Sequence, residues 1–118
     1  MIYKKVKNRN NTKIVNETFI YNNMKRAKII INNKQNDLKE NIVNEKHILK
    51  FKIKFLDNII YLESMFEDCE SLSSVNNFQN INTKYLLRIF ALFKGCNSLL
   101  EINDISNWNT KNVNNNYC

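Results

Sequence analysis

The sequence predicts an α/β chain: about two 27-residue helix–strand repeats stacked as a solenoid fragment, capped by an antiparallel β unit from the first half. Three observations predict it. Residues 65–91 slid against 92–118 give nine identities. The apolar residues ahead of each repeated cysteine recur at helical spacing. Residues 49–55 alternate between apolar and basic, the two-residue period of a half-buried strand.

The composition sets the frame. Of 118 residues, 24 are Asn, 15 Lys and 15 Ile, while Pro is absent and Gly95 is the single glycine. That excludes collagen-like chains, Pro-rich linkers and glycine-rich phosphate loops. A hydrophobic share of 43% is ordinary for a globular chain, so the asparagines do not signal disorder. Net charge is +7, with 14 Lys/Arg against 5 Asp/Glu in residues 1–60 and 4 against 6 in residues 61–118. The two halves therefore read as separate units, 1–57 and 58–118.

The first half reads as strands. Ile2–Val6 and Phe19-Ile20-Tyr21 are weak candidates, punctuated by Asn8–Asn11 and Asn22-Asn23. Ala27–Ile31 is rich in β-branched isoleucine and runs into a turn at Asn32-Asn33-Lys34, leading toward Leu38 and Ile42. Leu49, Phe51, Ile53 and Phe55 share one face of a strand, with Lys50, Lys52 and Lys54 on the other. This last strand is expected to run into the first repeat and cover its open end.

The second half is the repeat. Its identities are Phe66/Phe93, Cys69/Cys96, Ser71/Ser98, Leu72/Leu99, Asn76/Asn103, Asn80/Asn107, Asn82/Asn109, Thr83/Thr110 and Lys84/Lys111. Ile59, Leu62, Met65 and Phe66 form one apolar stripe, and Leu86, Ile89, Leu92 and Phe93 its copy. Each stripe predicts a short helix, the second N-capped by Thr83 and ended by Gly95 in a left-handed conformation, with Asp68 in that place in the first. Short extended stretches follow around Val75 and Ile102–Ile105. Stacking would place Cys69 over Cys96, Leu72 over Leu99 and Phe66 over Phe93, with Trp108 plugging its own rung. The repeated asparagines would bond backbone groups in the turns.

The strings Met65-Phe66-Glu67-Asp68-Cys69-Glu70-Ser71-Leu72, Phe93-Lys94-Gly95-Cys96-Asn97-Ser98-Leu99-Leu100 and Asp104-Ile105-Ser106-Asn107-Trp108-Asn109-Thr110-Lys111-Asn112-Val113 resemble the BspA-type leucine-rich repeat of bacterial and protist surface proteins. The resemblance covers residues 58–118. The first repeat departs from it, with Asn77-Phe78-Gln79-Asn80-Ile81 where the second has Asp-Ile-Ser-Asn-Trp. It implies a leucine-rich-repeat-like architecture and a role in adhesion or protein interaction.

In the 27-residue register, Val113 matches Leu86 and Ile59, so the chain is expected to stop inside a helix. This reads as a fragment of a longer array, or as a cap made by Asn114–Asn116. The uncovered second rung predicts self-association through residues 86–93 and 113–117. No segment approaches the ~20 apolar residues of a membrane helix, and the first ten residues lack a signal peptide's apolar run. As written, the chain reads as cytoplasmic, and a surface location follows from the family resemblance alone.

Little here suggests catalysis. His47 is the one histidine, with no cysteine near it in sequence. Glu63, Glu67, Asp68 and Glu70 cluster without calcium-loop spacing. Cys69, Cys96 and Cys118 are too few and too far apart for a disulfide framework or a four-ligand zinc site. The expectation is a non-catalytic protein without cofactor or metal that binds an unidentified protein. Two alternatives stay open. Lys50, Lys52 and Lys54 could contact phosphates of a nucleic acid, with Phe19 or Tyr21 stacking on bases, against the plainer reading of solvated lysines. The chain could also be a truncated copy with no activity of its own.

Overall fold

The computed structural model describes residues 2–4, 11–43, 48–78, 81–102 and 108–113. Among them, in chain order, are β1 (Ile2–Lys4), β2 (Asn11–Lys13), α1 (Glu17–Asn23), β3 (Ala27–Ile31), β4 (Lys34–Asp37), β5 (Asn41–Val43), β6 (Ile48–Phe55), β7 (Leu72–Val75) and β8 (Glu101–Ile102). Six strands make one sheet in the order β4-β3-β6-β1-β7-β8, and β2 pairs with β5 in a second. All pairings are antiparallel except β7 with β8.

β6 holds the centre because its alternation gives it one face for the core and one for water. Leu49 and Phe51 are buried, Ile53 and Phe55 half-buried, and Lys50, Lys52 and Lys54 exposed. Ala27 pairs with Phe55 and Ile29 with Ile53 across the β3–β6 ladder, which puts Ala27 and Ile29 on the same inner face. β3 turns into β4 through Asn32 and Asn33, both left-handed at φ +52° and +65°, the geometry a tight two-residue hairpin requires and asparagine tolerates.

The α/β helix–strand solenoid expected from the stripes is not what the chain forms. Among the described residues the molecule is mostly β, and the one helix, seven residues long, lies in the first half. Where the repeats should be helical, residues 63–68 and 90–95 are successive turns. Met65 N–H donates to Leu62 C=O, Cys69 to Phe66 and Leu72 to Cys69, each three residues back. Ser64, Asp68, Ala91 and Gly95 are left-handed, at φ +58°, +62°, +56° and +76°. A left-handed residue every four positions ends any α-helix before it can propagate. Thr83 accordingly caps no helix; it is buried, and its Oγ1 accepts from Asn109 N–H at 2.8 Å.

The 27-residue register nevertheless sets how the two segments lie together. Tyr61 pairs with Arg88, Ser74 with Glu101 and Val75 with Ile102, each in parallel. Between these pairs the N–H groups of Leu62, Ser64, Phe66 and Asp68 donate to the carbonyls of Arg88, Phe90, Leu92 and Lys94 at 2.7–3.0 Å. Two turn-rich layers are thereby joined edge to edge.

Phe19-Ile20-Tyr21 is helical rather than extended, inside α1. Asn16 sets its start, with Oδ1 accepting from Thr18 N–H at 2.8 Å. Phe19 and Asn23, four residues apart, are its buried face. The first layer is covered by this segment at Tyr61, Met65 and Glu67 and by β1 along β7, so β6 joins it through β1 rather than by running into it.

Candidate interaction surface

The expected repeat core is brought together in one cluster. Ile59, Leu62, Met65, Phe66, Cys69, Leu72, Leu86, Ile89, Leu92 and Trp108 are buried, while Phe93, Cys96 and Leu99 are half-buried against them. Ile102 takes its place by backbone in β8; Ile105, like His47, lies outside the described residues. Phe66 and Phe93 stack with centroids 5.9 Å apart and planes at 11°. Phe78 leans on both, and Trp108 meets Phe78 edge-on at 5.5 Å while its Nε1 donates to Phe78 C=O at 2.9 Å. Such ring pairs add about 0.5–1.5 kcal/mol each beyond the area they bury.

The cysteines are packing groups in this arrangement. Both are free thiols. Burial pushes the Cys69 thiol up, with the neighbouring Cys96 adding to it, and burial raises Cys96 to about 11 although a hydrogen bond with Cys69's backbone partly opposes it. Thiols so held stay protonated and poorly nucleophilic near neutral pH. Cys96 Sγ sits 3.0 Å from Phe66 C=O, a donor satisfied by the adjacent layer.

Asparagines do repeated work in the turns. Asn82 Oδ1 accepts from Lys84 N–H at 3.0 Å, and Asn109 Oδ1 from Lys111 N–H at 3.2 Å, equivalent positions in the two copies. Asn80 and Asn107 lie outside the described residues.

Two asparagines, of which the sequence reading used Asn23 only as punctuation between strands, carry the outer side of the first layer. Asn16 N–H donates to Met65 C=O at 3.0 Å and its Nδ2 to Glu67 C=O at 3.3 Å. Asn23 Nδ2 donates to Tyr61 C=O at 3.0 Å and to Phe19 C=O at 3.0 Å. Tyr61, Met65 and Glu67 stand 27 residues before Arg88, Leu92 and Lys94, whose carbonyls accept from the first layer. The asparagines thus take the place of a preceding layer. The dipeptide Asn16-Glu17, a capping residue followed by a first-turn acid, was the available signal; the long-range contacts had none.

The second layer is apolar on its outside. Tyr85 is 43% exposed, Phe90 40% and Leu100 87%, with Leu87 also exposed. Arg88 lies over the Tyr61 ring at 5.6 Å and Lys84 over Tyr85 at 5.5 Å. Elsewhere, Lys50 and Lys52 line an open cleft of about 350 Å³ with Asn32, Asn33 and Asn76. Lys54 continues the row opposite Lys28, whose ammonium is bound by Asp37 at 2.5 Å. That ammonium, by its hydrogen bond and its charge, holds the Asp37 carboxyl below the usual carboxylate range.

Among the described residues, no helix is long and apolar enough to cross a membrane. Compared with known proteins, the chain matches no family model, no curated sequence and no solved structure.

Proposed function

We propose that the chain is a non-catalytic interaction protein of the kind its BspA-type motifs resemble, binding another protein through the exposed side of its second layer. One observation carries the reading: Tyr85, Leu87, Phe90 and Leu100, four large apolar side chains within sixteen residues, stand exposed together with ring-stacked cations. Aromatic and arginine side chains concentrate binding energy at interfaces. The protonated thiols of Cys69 and Cys96 suit packing rather than nucleophilic chemistry.

A displayed library of random peptides, selected on the wild-type chain, tests it. Peptides are expected to be enriched, and the triple variant Tyr85→Ser, Leu87→Ser, Phe90→Ser should weaken their binding by at least about tenfold. Enriched peptides that bind wild type and variant alike would remove the reading. The exposed row Lys50, Lys52 and Lys54 supports nucleic-acid binding as the second reading. Its signature is a single-stranded oligonucleotide held at low salt and released steeply as salt rises.

A further inference from the structure

The two layers differ in how well their equivalent residues are covered. Phe66, Cys69 and Leu72 are fully buried, because the second layer lies on them. Phe93, Cys96 and Leu99, their counterparts, are half-buried. The backbone tells the same story. Phe66 and Asp68 N–H donate to Leu92 and Lys94, whereas the N–H groups of Phe93 and Gly95 have no acceptor among the described residues. β8, which continues this edge, is the last of the described strands in its sheet. The layers also differ in charge. Residues 58–78 carry Glu63, Glu67, Asp68 and Glu70 and no base, while 81–102 carry Lys84, Arg88 and Lys94 against Glu101. An acidic layer thus rests on a basic one.

Resting on the interaction reading above, we propose that the edge from Phe93 to Ile102 is the docking site for an acidic peptide segment. The segment lies parallel to the second layer and adds a third. Its carbonyl oxygens accept from Phe93 and Gly95 N–H, as Leu92 and Lys94 accept from the first layer. Its apolar side chains complete the burial of Phe93, Cys96 and Leu99. Its carboxylates meet the positive charge of the second layer, which selects an acidic occupant over a basic one. A second intact copy is a poor occupant, because the matching carbonyls of its first layer already accept from Asn16 and Asn23.

The probe is a synthetic peptide with the sequence of residues 62–76 carrying Cys69→Ser, titrated into the labelled full chain and followed by amide NMR. Saturable shifts are expected at Phe93, Gly95 and Leu99, with slower hydrogen exchange at Phe93 and Gly95 in the complex. A control peptide with Glu63, Glu67, Asp68 and Glu70 all changed to Lys should bind on the order of tenfold more weakly or not at all. Lys94→Glu, at an exposed position and so expected to fold, should weaken the acidic peptide by a similar factor and restore binding of the basic control. The proposal is overturned if the two peptides bind equally, or if no shift appears. It also falls if the Phe93 and Gly95 amides are already protected in the free chain, the edge then being occupied by the chain itself. Library peptides whose shifts map to Tyr85–Phe90 but spare 93–102 would leave the interaction reading standing and sink this one alone.

Discussion

Gly95 has little freedom to change. Its φ of +76° suits glycine, and a methyl group there would meet the Asp68 carboxylate Oδ1 and come within 3.2 Å of its Cα. Gly95→Ala is expected to cost about 1–2 kcal/mol from backbone conformation alone, with the contact adding to it. Urea unfolding of the two chains reads this directly, and an unchanged midpoint would show that the layer contact is not formed. The left-handed bend at Gly95 was legible from the lone glycine, and sliding the repeat by 27 placed Asp68 beside it. Ser64 and Ala91 adopt the same conformation at φ +58° and +56°, yet serine and alanine carry no signal for it. Tertiary packing imposes it on them.

At the scale of elements, the same absence explains why the repeats were misread as helices. Leu62, Met65, Cys69 and Leu72 fall on one side of the chain because each turn closes after three residues. A run of turns and a helix share this spacing, so periodicity alone does not separate them. β6 was readable because a period of two has no such rival. α1 was missed because Phe19-Ile20-Tyr21 favours strands by residue type, while its helix rests on the Asn16 cap and on burial of Phe19 and Asn23. Asn16 joins this helix to the first layer. Asn16→Ala should lower stability by about 1–3 kcal/mol, combining a lost cap with an unpaired Glu67 carbonyl. Asn16→Asp, which keeps the acceptor and loses the donor, should fall between the two in a thermal melt. Equal melting of wild type and Asn16→Ala would contradict the capping role.

Over the whole molecule, the charge boundary near residue 60 is a property of the surface. Burial runs across it: Ile14, Phe19, Ile29 and Phe51 share one core with Met65, Leu72, Leu92 and Trp108. Residues 58–118 expressed alone should therefore lack a cooperative thermal transition by circular dichroism, whereas the full chain melts in one step. A cooperative melt of the short chain would mean that the shared core is dispensable. No composition or charge count announces such sharing, since it depends on which apolar faces meet in three dimensions. The proposed interaction surface was legible in part, as the repeat and its apolar stripes, but the exposure of Tyr85, Phe90 and Leu100 follows from which side the first layer covers.

The amide side chains of Asn16 and Asn23 have a consequence for assembly. A unit that polymerises needs two complementary ends, and here the carbonyl end of the layer pair is closed from within the chain. Two copies brought edge to edge at the other end would set N–H against N–H. Under the docking proposal the layer pair has a valence of one: each molecule would take up a single strand-like guest, with the asparagines as the stop that keeps such a template from growing into a fibre.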